Sequence, residues 1–130
     1  MQDKVKYWLN LANDDVSVAK LLLGGKKYLY AGFFCHLIAE KALKAIIVDA
    51  TSTFPPKMHD LTKLAEHGGI FDVLTESQLN LLEELNPLNL EARYPEHKER
   101  ISEILTAEKT ANILKETEEF LCWTEQRLKK

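Results

Sequence analysis

Apolar residues recur every three or four positions from the start of the chain. Val5, Trp8, Leu9, Ala12, Val16, Ala19 and Leu23 fall on one side of a helical wheel. Asp3 ahead of them is the expected N-cap, and Gly24-Gly25 behind them supplies a helix stop. The pattern predicts a first helix of about 20 residues. A second runs from about Tyr28 to Asp49 or Ala50, with Ala31, Phe34, Cys35, Ile38, Ala42, Ala45 and Ile46 on one broad face. Leu43 and Ile47 add apolar area on its far side, so this helix is expected at the centre. The segment Thr51-Ser52-Thr53-Phe54-Pro55-Pro56 reads as a proline-stiffened loop.

His59-Asp60-Leu61 opens a short third helix with Asp60 as N-cap, and Gly68-Gly69 closes it. A fourth begins near Thr75, where Thr75 and Gln78 have capping-box spacing. It points Leu79, Leu82 and Leu85 at the core and stops near Asn86-Pro87. Residues 87–95 read as irregular or briefly helical. A short helix with Ile101, Ile104 and Leu105 then leads into a long one over 107–128, carried by Ala107, Ala111, Leu114, Leu121 and Leu128. No strand pattern competes. The expected fold is all-α: an antiparallel up-and-down helical bundle of four to five main helices, forming one domain over residues 1–130.

Composition narrows the function classes. With 45% hydrophobic residues, five glycines and four prolines in 130 residues, the chain has the make-up of a folded domain. A net charge of -3 argues against a broad DNA-binding surface, because phosphate neutralisation dominates nucleic-acid affinity. The short basic clusters Lys26-Lys27, Lys129-Lys130 and Lys41/Lys44 leave room only for a local basic pocket. No apolar run reaches the length of a membrane span, and no signal peptide is expected at the start. Cys35 and Cys122 form no CxxC pair, and Cys35 in its apolar run reads as a small hydrophobe. A reduced, cytoplasmic setting is expected.

Three places carry candidate chemistry. His36, Glu40 and Lys44, at i, i+4 and i+8, share one line of the second helix. Spacing alone fits a solvated ion pair. The apolar neighbours Phe33, Leu37 and Ile47 fit a polar pocket or a polar seam between subunits, where a carboxylate needs a partner such as Lys44. His59-Asp60 reads as an N-cap with an exposed ring beside it, or as an imidazole placed against a carboxylate. In RYPEH, Pro95 suits the first turn of a new helix, with Arg93 just outside it and His97 inside. Arg93 and His97 could receive a phosphate. Alternatively Arg93 pairs with Glu84 or Glu91, Tyr94 packs on the bundle, and His97 faces solvent. The four histidines show no zinc spacing, and neither glycine pair belongs to a phosphate loop, so no metal site and no cofactor are expected.

Together these stretches resemble the HEPN domain family, named for nucleotide binding in higher eukaryotes and prokaryotes. Trp8 with Ala12 and Asp14-Asp15 is similar to its first helix, and YAGFFCHLIAEKALKAII to its second, with an A-x-E-K-A-x-K-A core. PPKMHDLTKL resembles its Pro-rich loop and H-D-L helix start, and LNPLNLEARYP its R-Y-P stretch. The resemblance implies a helical bundle that dimerises, encoded beside a minimal nucleotidyltransferase with which it forms a complex, often a toxin–antitoxin pair. It implies a nucleotide site at Glu40, Lys44, His59, Arg93 and Tyr94, with Arg93 and Lys44 on phosphate and Tyr94 stacked on a base.

Catalytic members of the family are metal-independent ribonucleases with an Arg and a His separated by four to six intervening residues. Here three residues, one of them Pro95, separate Arg93 from His97, Tyr94 stands where a polar residue is common, and Arg100 has no His after it. The RYP pattern resembles the non-nuclease, nucleotidyltransferase-associated kind. The leading expectation is therefore a non-catalytic homodimeric partner of a minimal nucleotidyltransferase. The alternatives are a ribonuclease toxin, in which His97 acts as base and Arg93 stabilises the phosphorane, and a ligand-free interaction module.

Overall fold

The computed structural model describes residues 2–90 and 95–129. Among the described residues six α-helices follow one another: α1 (Asp3–Gly24), α2 (Tyr28–Thr51), α3 (Leu61–His67), α4 (Glu76–Leu85), α5 (Pro95–Ile104) and α6 (Ala107–Leu128). Single 3-10 turns lie at Phe71–Val73 and Asn86–Leu88. The described residues contain no strand.

The connection between α1 and α2 is three residues long, which forces the two helices antiparallel. Cross-contacts agree with that register: Asp15 pairs with Lys41, and Trp8, a turn or two earlier, meets Lys44, one turn later. α2 is the centre of the bundle. Fourteen of its residues are buried, including Leu43 and Ile47 on the side away from its main apolar face. Neighbours therefore cover it on both sides: α1 and α6 pack along it, with α3, α4 and α5 completing the cover. Gly32 lets the chain after α5 come close, since a Cβ there would meet Leu105 Cδ1 at 2.8 Å.

Local capping decides several boundaries. The Asp60 carboxylate accepts from the Thr62 and Lys63 amides and starts α3. Thr75 and Gln78 form the expected reciprocal capping box at α4. At α1 the expectation needs correcting. Gln2, not Asp3, occupies the cap position, and Asp3 lies in the first turn, where a carboxylate still favours the positive helix end.

α6 has the expected limits but a different inner face. Ala107 and Ala111 are exposed, whereas Thr110, Thr117 and Thr124 are fully buried beside Ile113, Leu114, Phe120 and Leu121. Each threonine donates its hydroxyl to the carbonyl one turn back, on Thr106, Ile113 and Phe120, at 2.7, 2.7 and 2.9 Å. With its only polar group satisfied, threonine can occupy an apolar seam. Two smaller differences lie nearby. Leu81 is buried where Leu79 is only partly so, and Ile104 is 62% exposed while Leu105 packs inward.

Candidate functional site

The charged line of α2 is inside the protein. His36 is 0%, Glu40 5% and Lys44 8% exposed, so the stripe is not the solvated ion pair that its spacing alone suggested. Unpaired, such groups would be costly to bury, and the structure pairs all three. Glu40 is the hub. Its Oε1 faces His36 Nε2 at 3.2 Å and His59 Nδ1 at 2.9 Å, and its Oε2 accepts from Lys44 Nζ at 3.0 Å.

Burial by itself would push the Glu40 carboxyl up. Hydrogen bonds from His36, His59 and Lys44, with the charge of Lys44, more than offset it and hold the group down at about 2. Glu40 is thus ionised at neutral pH and only accepts. The other nitrogen of His36, Nδ1, stands 3.1 Å from the Leu85 carbonyl at the end of α4. That carbonyl also only accepts and belongs to the last turn, where backbone acceptors lack helical partners. Both His36 contacts are hydrogen bonds only when the ring carries two N–H groups. In that state Glu40 sits between two cations, and His36 ties α2 to the end of α4.

The loop before α3 is locked to the same place. Asn86, just past α4, donates to Asp60 Oδ1 at 3.3 Å and accepts the Leu61 amide at 2.8 Å. Asp60 thereby caps α3 and fixes the preceding His59. Burial would raise the Asp60 carboxyl, but hydrogen bonds from Thr62, the Lys63 amide and Asn86 lower it. The His59 side chain is 52% exposed and is the solvent-facing member of the Glu40 cluster. It is both the exposed ring beside a cap and an imidazole held by a carboxylate; the carboxylate is Glu40.

On the other side, Lys44 Nζ lies 5.6 Å from the centre of the Trp8 ring. Trp8 meets Tyr7 edge-on at 5.6 Å, and Lys4 Nζ lies 4.9 Å above Phe54. Asp3, Lys4, Tyr7, Trp8, Val48 and Phe54 line a cleft of about 270 Å³.

Of the residues singled out in the sequence, Glu40, Lys44 and His59 come together, joined by His36. His97 is apart in character: it is exposed in the first turn of α5. Arg93, Tyr94 and Glu91 lie outside the described residues. Glu84, one suggested partner of Arg93, pairs with Lys109 at 3.1 Å. The Leu85 carbonyl, Asn86 and the cleft beside Trp8 were not anticipated. The Asn-Pro step at 86–87 was a usable turn signal for Asn86, while a backbone carbonyl leaves no mark in a sequence. Among the described residues, no group of three or more His, Cys, Asp or Glu is arranged to hold a metal ion. No described helix is long and apolar enough to cross a membrane.

An all-helical bundle built on a central helix with a buried Glu–Lys pair defines the class. The HEPN domain model matches residues 5–127, and the chain belongs to the HEPN domain family. The structure is similar to the crystal structure of TT1696 from Thermus thermophilus, with a TM-score of 0.79 over 98% of this chain and 100% of that one. The two are 20% identical, so the likeness is one of fold. Comparison with curated proteins gives no match.

Proposed function

We propose that this HEPN-domain protein is a non-catalytic, homodimeric partner of a minimal nucleotidyltransferase, in the manner of a toxin–antitoxin pair, and that it binds a nucleotide beside Lys44 and His59. The observation that carries the nucleotide reading is the convergence of Lys44 and His59 on the buried Glu40 carboxylate. A carboxylate held at about 2 and engaged by three side chains is a weak proton acceptor, ill suited to general-base work near neutral pH. It is well suited to holding cationic groups in place. Lys44 keeps N–H groups beyond the one given to Glu40, and His59 presents the Nε2 edge of a half-exposed ring. Both can meet phosphate oxygens. Arg93, on phosphate, and Tyr94, next to it in the sequence, complete the proposed site.

Two experiments test this. Calorimetric titration with ATP should give saturable binding that His59→Ala weakens at least tenfold, and light scattering of the free protein should give the mass of a dimer. Mixing with the minimal nucleotidyltransferase encoded beside it should give a stable complex by gel filtration. A monomer that binds neither ATP nor that enzyme would refute the proposal. So would metal-independent RNA cleavage abolished by His97→Ala.

A further inference from the structure

Folding leaves two large aromatic side chains in water at one end of the molecule. Phe54 is 82% and Tyr7 59% exposed, and both border the cleft whose floor is Trp8 and Val48. Local backbone geometry holds Phe54 there. Ser52 ends α2 in a left-handed conformation with φ 55°, which turns the backbone out of the helix axis. Pro55 then biases the Phe54 backbone to extended geometry.

Lys4 and Asp3 both line the cleft, and Lys44, paired with the ionised Glu40, backs its Trp8 floor. Lys4, over the Phe54 ring, is the cation at the rim that an anion can reach. The volume, about 270 Å³, is just under the usual range for a drug-sized ligand and too small for a partner helix. Flat aromatic walls, a cationic rim and this size suit a single heterocyclic base carrying a phosphate. Base–aromatic stacking tolerates any base, because every base has a π-face.

We propose that the Tyr7–Trp8–Phe54 cleft is the base-stacking half of the nucleotide site, taking the base of a mononucleotide between Phe54 and Trp8 with its phosphate toward Lys4 and Lys44. The inference rests on the nucleotide reading of Lys44 and His59, and extends it to residues on α1 and the loop after α2. Lys4, resting on the Phe54 face, moves aside when the base arrives and turns to the phosphate.

The test uses the full chain carrying Trp123→Phe, which leaves Trp8 as the sole tryptophan, and AMP as the probe. AMP should quench Trp8 fluorescence saturably. Phe54→Ala and Tyr7→Ala should each weaken that binding at least tenfold with unchanged melting, since both side chains are exposed. Ribose 5-phosphate, which lacks the base, should bind at least tenfold more weakly than AMP. AMP binding that survives both aromatic substitutions but is lost in His59→Ala would overturn the stacking site while leaving the phosphate reading intact. Absence of saturable AMP binding by fluorescence and by calorimetry would overturn both. A fall in molecular mass on Phe54→Ala with AMP affinity unchanged would overturn it too, marking the cleft as a contact between copies of the chain.

Discussion

Replacing Glu40 by Gln removes the hub of the buried cluster without changing its volume. The amide keeps one accepting oxygen but must turn an N–H₂ toward either Lys44 or the two histidines, all of which donate to the carboxylate. The stabilisation at stake follows from the carboxyl's displacement, from 4.5 to about 2. At 1.36 kcal/mol per pH unit this amounts to about 3 kcal/mol at pH 7. It is consistent with the roughly 3–5 kcal/mol typical of breaking a buried pair from one side. Because the folded value is depressed, the contribution is complete above about 4.5 and is lost as pH falls through about 2. At pH 3 about 1.4 kcal/mol of it should remain. Urea unfolding of wild type and Glu40→Gln at pH 7 and pH 3 reads both numbers. The gap between the two proteins should be about 3 kcal/mol at pH 7 and about half that at pH 3. A gap under about 0.5 kcal/mol at pH 7, within the range of ordinary surface changes, would refute the buried-hub reasoning. An equal gap at both pH values would refute the assignment of the loss to the carboxylate's charge.

Asp60→Ala should cost about 1–2 kcal/mol in the same assay, since it removes the α3 cap and one hydrogen bond from Asn86; an effect near zero would show that the cap is dispensable. The two thiols should separate cleanly. Burial, the dominant influence, with a smaller push from Glu118, outweighs a hydrogen bond with Thr117 and drives the Cys35 thiol up to about 12, so a thiol reagent at pH 8 should titrate exposed Cys122 alone until urea unfolds the chain. Two rapidly reacting thiols in the native protein would contradict the buried position of Cys35. Thr124→Val should change stability by less than about 1 kcal/mol, because its hydroxyl bonds only a carbonyl already within α6; a larger loss would mean that the buried hydroxyl has a further partner.

Much of the fold was legible because its signals are local. Helical periodicity placed α1, α2, α4 and α6, and the caps at Asp60 and Thr75 set boundaries within a residue or two. What pattern reading missed depends on distant partners or on satisfied polarity. The polar stripe of α2 is buried only because the Leu85 carbonyl, 49 residues from His36, and His59, 19 residues from Glu40, supply its remaining bonds. Spacing within one helix carries no trace of either. Thr110, Thr117 and Thr124 look polar in sequence, but their i−4 hydrogen bonds make them core residues. For the candidate site, Glu40, Lys44 and His59 were found and their convergence was not derivable. The apolar neighbours Phe33, Leu37 and Ile47 and the HEPN resemblance both suggested that the stripe is more than a surface feature. The exposure of Phe54 and Tyr7 followed from neither, since it reflects how α1 and the loop after α2 lie side by side.

The account depends most on Glu40 being an ionised anchor at neutral pH and not a proton-transfer group. Carbon-13 NMR of the glutamate side-chain carboxyl carbons, with Glu40→Gln to assign the signal, measures this directly. The predicted midpoint for Glu40 is near 2, well below the ordinary 4.5. A midpoint at or above 4.5 would contradict the account.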